Sequence, residues 1–290
     1  MQNTNKTHMG LKAKTRLSNI IVYIILTIIS IIWLIPFAFI LIESFRCESR
    51  CPENYLWPHK WGFDNYVYIF NNAEYWTWFR NTFLIALACS VIQTIMVLSV
   101  SYALSRLRFK GRKKLMNFML IIGMFPGFLA MILLYRLLSD MGLTKTNSVA
   151  GLILVYCASS GMGYYVSKGF FDTISKSLDE AARIDGATRF QVFYKIILPL
   201  SKPIIIYTVL SAFMGPWGDF MFASYVSHGS SEGQNIAVGL RSWITEAGMI
   251  GQKYTMFCAG GVIVAIPITI LFMMLQRYYV EGVTGGAVKG

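Results

Sequence analysis

The sequence predicts an all-α polytopic membrane protein, with six transmembrane helices and a polar helical insertion between the fourth and the fifth. Composition is the first reason. Of 290 residues, 55% are hydrophobic and 14% charged, where a soluble domain carries about 25% charged residues; the mean hydropathy is +0.53. The second reason is that the apolar residues fall in runs of membrane-crossing length. The third is the placement of charge. A net charge of +12 would suit nucleic acid, but the basic residues sit in short connections beside the apolar runs, which is the positive-inside pattern, so no nucleic-acid partner is expected.

Residues 1–19 are polar, carry Lys6, Lys12, Lys14 and Arg16, and read as a cytoplasmic tail. The membrane domain covers 20–276. Span one, 20–42, is uncharged and long enough for the ~30 Å hydrocarbon core. It is too long for a signal-peptide apolar region, and Pro36 predicts a kink. Residues 43–80 form an outer connection rich in tryptophan: Trp57, Trp61, Trp76 and Trp78. An aromatic belt at the lipid interface explains them most simply. Span two, 82–104, is followed by Arg106, Arg108, Lys110, Arg112, Lys113 and Lys114 with no acid among them, the strongest topological mark in the chain. A lipid-headgroup site there is compatible with that mark.

Span three, 115–135, contains Gly123, Pro126 and Gly127 and predicts a bend, because proline removes a backbone bond. Residues 136–148 form an outer loop, and span four is 149–166. Span five, 203–227, centres on Gly215-Pro216-Trp217-Gly218-Asp219-Phe220. Asp219 is an acid well inside an apolar run, where a charge is costly and faces a bundle interior or a water-filled cavity. Two roles stand for it, in a translocation path or as a structural carboxylate bonded to a neighbouring helix. Trp217, Asp219 and Phe220 are the path candidates. Residues 228–254 form an outer loop; span six, 255–276, carries Gly260-Gly261 and Pro267. The tail, 277–290, is glycine-rich and reads as flexible when alone.

The insertion, 167–202, is patterned as two short helices. Ser177 with Glu180 predicts a capping box and a first helix over about 178–184. Asp185-Gly186 predicts a stop and a turn, with Gly186 at positive φ. A second helix is expected over about 189–197, with Phe190, Phe193, Tyr194 and Ile197 on one face at i, i+3, i+4 and i+7. Pro199 and Pro203 stop the pattern. Its apolar face needs a cover, either the protein's own bundle and the lipid interface, or a cytosolic protein.

Glu180-Ala181-Ala182, three residues, Gly186, nine residues, then Ile196-x-Leu198-Pro199 resembles the EAA signature of binding-protein-dependent ABC importer permeases. In that family this element is the coupling helix, which docks in a groove of the ATP-binding subunit. The resemblance carries an ATPase-coupling role onto Glu180, Ala181, Ala182, Asp185, Gly186 and Pro199. It extends from about residue 20 to the end. Asp64-Asn65-Tyr66 and Gln234-Asn235-Ile236-Ala237-Val238-Gly239-Leu240 are similar to stretches of sugar permeases. The ending Gly282-Val283-Thr284-Gly285-Gly286-Ala287-Val288-Lys289-Gly290 is similar to the maltose/maltodextrin type, with Val283 in place of Leu. There the tail reaches the ATPase, which implies contacts from Gly285, Gly286, Lys289 and Gly290. Gly218 stands where the family often has Asn.

The resemblance implies a carbohydrate importer, most simply for an oligosaccharide such as maltodextrin. Its partners would be a second permease subunit, two ATP-binding subunits and an extracytoplasmic solute-binding protein, for which the outer tryptophans offer a docking surface. Loop charge agrees without using the resemblance. Eighteen of the Lys and Arg residues fall on the side of the two termini and the insertion, and eight on the other, which places both ends in the cytoplasm of a bacterial cell membrane protein. No P-loop, zinc-protease helix or nucleophile elbow occurs. The chain therefore reads as a non-catalytic subunit that binds no cofactor or metal, with ATP and Mg on the partner ATPases. Cys47 and Cys51 read equally as a disulfide or as two free thiols. An ion-coupled transporter using Asp219 and a membrane anchor without transport are the rival readings.

Overall fold

The computed structural model describes residues 11–48, 57–124, 127–159, 161–245, 251 and 253–287. The chain is built of helices: α1 (Leu11–Ser44), α2 (Asp64–Phe70), α3 (Ala73–Arg106), α4 (Arg112–Gly123), α5 (Gly127–Asp140), α6 (Ser148–Ala158), α7 (Gly161–Thr173), α8 (Lys176–Ile184), α9 (Arg189–Val192), α10 (Leu198–Leu200), α11 (Lys202–Gly218), α12 (Met221–Ser227), α13 (Ile236–Thr245) and α14 (Tyr254–Ala287). A π-turn, Phe193–Ile197, joins α9 to α10. Among the described residues the one strand-type pairing is an isolated bridge between Arg46 and Trp61.

Three helical stretches are long and apolar enough to cross a membrane alone: Thr15–Ser44, α3 and Tyr254–Tyr278. Two more candidates are bent pairs, one running from Lys145–Ala158 into Gly163–Thr173 at 40° and one from Arg189–Leu200 into α11 at 83°. The third expected span is split into α4 and α5 around residues 125–126, which lie outside the described set.

Most helices outrun the expected spans. α3 starts at Ala73 rather than near 82, because Asn72 caps it: its side chain accepts the Tyr75 amide at 2.9 Å. Helix resumes after Ala158 and runs to Thr173, past the expected boundary at 166, because Phe171 is wholly buried and continues the apolar face. α14 continues to Ala287, so 277–287 is helical and not the free tail expected. Extending an existing helix carries no nucleation cost, which offsets the preference of its glycines for other conformations.

α3 is the spine. Its residues enter three successive apolar clusters. Tyr75, Trp78 and Ala86 meet Trp217, Trp243 and Leu240 at one end. Ile85 and Cys89 meet Leu152, Phe222 and Val226 in the middle. Leu98 and Tyr102 meet Phe171, Val192 and Ile197 at the other end. The outer tryptophans therefore divide. Trp57 and Trp61 are exposed, as a belt requires, whereas Trp78 is core, packed 5.9 Å from the Trp243 ring. Gly239 lies against it; a β-carbon there would come within 2.1 Å of the Trp78 indole. α1 packs on α14 and is otherwise uncovered over its apolar length.

Candidate functional site

The insertion forms a two-helix knob. Ser175, not Ser177, caps α8: its hydroxyl accepts the Ser177 amide at 3.3 Å. Ser177 is already helical, so it cannot take the cap conformation expected of it. The reciprocal box forms one helix later. Thr188 Oγ1 accepts the Gln191 amide at 3.2 Å, and Gln191 Oε1 accepts the Thr188 amide at 2.7 Å.

Between them Gly186 takes φ +86°, as its sequence context predicts. The Ala187 amide donates to Ala182 O at 2.9 Å and the Gly186 amide to Arg183 O at 3.1 Å. This is a Schellman turn, which satisfies the last carbonyls of α8. Ala182 and Ala187 are half-buried and pack against the third apolar cluster. Glu180, Ala181, Asp185, Gly186 and Pro199 are exposed.

The second helix differs from its expected pattern. Phe193 and Ile197 turn inward, with Phe193 centred 4.6 Å from the Tyr102 ring. Phe190 and Tyr194 stack on each other and face outward, 73% and 64% exposed. The four do not share one face. Pro199 does not stop the helix either, since helix runs on to Leu200. Proline has no amide hydrogen for the Lys195 carbonyl, and the chain widens into the π-turn just before it. With Ile184 at 86% exposure, the tip of the knob is an apolar surface that this chain leaves open.

Three residues at the end of α3 fasten the knob. Tyr102 OH donates to Arg189 O at 3.1 Å. Ser105 Oγ donates to Asp172 Oδ1 at 2.6 Å. Arg106 Nη2 donates to Phe171 O and Ile174 O at 2.9 and 2.8 Å, and its Nε lies 3.5 Å from Asp179 Oδ2. Burial pushes the Asp179 carboxyl above its ordinary range, against the lowering pull of Arg106. Sequence reasoning missed Tyr102 and Ser105 altogether and read Arg106 as one of a topological basic run compatible with a lipid-headgroup site, not as a fastener of the knob. Nothing in a basic run distinguishes the one member that folds back into the protein.

The path candidates occupy a second region. Asp219 falls at the break between α11 and α12, where the helix stops in extended backbone. Tyr156 OH donates to Asp219 Oδ2, and Asp219 Oδ1 accepts the Phe222 amide at 3.2 Å. Asn235 Nδ2 donates to the Asp219 and Pro216 carbonyls at 2.7 and 3.2 Å. The carboxylate thus ties α6 to the start of α12, and the Asp219 backbone carbonyl holds the loop before α13. Trp217 is buried edge-on to Phe79, and its indole nitrogen has no hydrogen-bond partner among the described residues. Phe220 lies under the Arg241 guanidinium at 4.6 Å and lines a cavity of about 350 Å³ with Met131, Met221, Tyr225 and His228. Gly285 and Gly286 lie near the end of α14, whereas Lys289, Gly290 and Cys51 are outside the described residues.

The chain is thus a bundle of helices, several long and apolar enough to cross a membrane, with a two-helix knob fastened to the end of α3. Residues 95–285 match the family described as binding-protein-dependent transport system inner membrane component, and the chain belongs to that family. It is 36% identical to the maltodextrin transport system permease protein MdxG of Bacillus subtilis, over 97% of this chain and all of that one. It is 34% identical to the maltodextrin transport system permease protein MalD of Streptococcus pneumoniae, over 97% of this chain and 99% of that one. Identity is also 34% to the galactooligosaccharides transport system permease protein GanQ of Bacillus subtilis, with 92% and 94% covered. A crystal structure of a bacterial ABC transporter involved in the import of the acidic polysaccharide alginate has the same fold. Its TM-score is 0.76 at 22% identity, covering 94% of this chain and 100% of that chain.

Proposed function

We propose that this chain is one of two permease subunits of an ABC importer for a carbohydrate, an oligosaccharide such as maltodextrin. The observation that carries the proposal is the open apolar tip of Ile184, Phe190 and Tyr194 on a knob fastened to α3. Such a tip suits a groove in an ATP-binding subunit, and its attachment gives a route from ATPase closure to the membrane helices. Two ATP-binding subunits hold ATP and Mg; this chain contributes no cofactor site. Glu180, Ala181, Asp185, Gly186 and Pro199 meet the ATPase, and the end of α14, with Gly285, Gly286, Lys289 and Gly290, adds a second contact. A solute-binding protein docks on the opposite face. The helices form six spans, the third from α4 and α5, with both termini cytoplasmic; the loop charge supports this orientation.

Relatives named for maltodextrin and galactooligosaccharides support an oligosaccharide substrate. Phe220 is the path residue with open space beside it. Trp217 is packed in the core, and the Tyr156 and Phe222 bonds to Asp219 favour its structural role over ion coupling. The test is uptake of a panel of labelled oligosaccharides in cells carrying Glu180→Lys or Gly186→Pro, with co-purification of the ATPase. Joint loss of uptake and ATPase supports the docking knob. Normal uptake with the ATPase still bound overturns it.

A further inference from the structure

A cleft of about 330 Å³ opens between the end of α3, the start of α4 and the knob. Arg106, Arg108, Arg112, Lys176, Arg183 and Arg189 line it, and they outnumber its two carboxylates, Asp179 and Glu180, by four. One of these cations is built in. The Arg106 side chain is 3% exposed, and its Nη1 and Nε are buried without a hydrogen-bond partner among the described residues. Asp179, 3.5 Å from Nε, offsets part of that charge but leaves Nη1 unmet. A buried guanidinium nitrogen without an acceptor is costly, and a phosphate oxygen is the acceptor whose geometry a guanidinium matches.

We propose that this cleft binds a phosphate ester, and that the anionic headgroup of a membrane phospholipid supplies it. Two features favour lipid over a free phosphate. Arg106 ends one apolar helix and Arg112 begins the next, so the cleft lies where the chain leaves and re-enters the bilayer. Arg108 and Arg112 also border an adjoining groove of about 560 Å³ that contains Phe109 and Met116, giving a basic rim beside apolar side chains. The bound headgroup bridges the α3–α4 connection and the knob, and so tightens the joint that carries motion between them.

The test uses the whole transporter, assembled with its partners in nanodiscs of phosphatidylcholine with phosphatidylglycerol, then delipidated and weighed by native mass spectrometry. Arg108→Gln with Arg112→Gln is compared with Lys110→Gln with Lys202→Gln, which removes the same charge away from the cleft. Retention of phosphatidylglycerol about tenfold weaker in the first pair alone is expected. Equal loss in both pairs, meaning a diffuse basic surface, overturns the proposal. A site emptied of lipid by millimolar inorganic phosphate keeps the phosphate chemistry but overturns lipid as its source. Retention unchanged in both pairs overturns the site, and leaves an acidic side chain of the ATPase as the group that meets Arg106. Co-purification of the ATPase, scored alongside, separates loss of this site from failure of the docking knob.

Discussion

At the residue scale, single atoms decide whether a position tolerates change. Gly186→Ala meets no steric neighbour within 4 Å, so its cost is left-handed backbone strain alone, about 1–2 kcal/mol. Thermal unfolding of the purified transporter should fall accordingly, and Gly186→Asn should fall less, since Asn visits that region. Gly239→Ala is the opposite case. Its φ is ordinary, but its β-carbon would overlap the rigid Trp78 ring, at about 1–3 kcal/mol. Gly261→Ala, with open space at its β-carbon, serves as the neutral control in the same melts.

Glu48 gives a pH prediction. Burial raises its carboxyl, but the His59 and Lys60 amides, at 2.7 and 2.9 Å, together with Arg46, bring it below its ordinary value of 4.5. The folded value is the lower one, so the stabilisation is present above pH 4.5 and is lost as pH falls through the folded value. Acid titration of hydrogen exchange at the His59 and Lys60 amides should show opening below pH 4.5, and Glu48→Gln should remove that dependence.

At the scale of elements, the π-turn sets which side chains the knob presents. Pro199→Ala returns an amide hydrogen to the Lys195 carbonyl and permits an ordinary α-turn. The local helix gains stability, by up to about 3 kcal/mol, while Phe190 and Tyr194 rotate relative to Phe193 and Ile197. Oligosaccharide uptake should drop although the protein melts no lower. Unchanged uptake would mean that the outward pair does not depend on that register. The Tyr156–Asp219 tie gives a second element-scale prediction. Tyr156→Phe leaves a half-buried carboxylate short of a donor, costing about 1 kcal/mol. A double-mutant cycle with Asp219→Asn should recover much of that loss, because the two share one interaction. Uptake by the double variant would argue against proton coupling through Asp219.

At the scale of the molecule, α1 lacks cover along its apolar length: Trp33 is 71% exposed and Tyr23 68%. Inside a bilayer this face meets either lipid or the second permease. Brominated lipid should quench Trp33, read as the difference from Trp33→Phe, in the isolated chain. Protection on assembly would place the second permease on α1, whereas equal quenching would leave α1 to lipid.

The sequence by itself determined the membrane class, the break beside Asp219 and the turn at Gly186. Each follows from a local rule: the length of an apolar run, the missing amide of proline, the missing β-carbon of glycine. It also carried the family, through the spacing of Glu180-Ala181-Ala182, Gly186 and Pro199. Only the tertiary structure decided the rest. Ser175 displaced Ser177 as the cap because α8 begins where the α7 helix ends. Phe190 and Phe193 parted because Tyr102, far away in sequence, fills the inward side. Trp78 became core because Gly239 lets its ring approach. Arg106 left the basic run for the bundle because two carbonyls at the end of α7 and one carboxylate on the knob converge on it. Those choices depend on partners distant along the chain, and local periodicity carries no record of which partners meet.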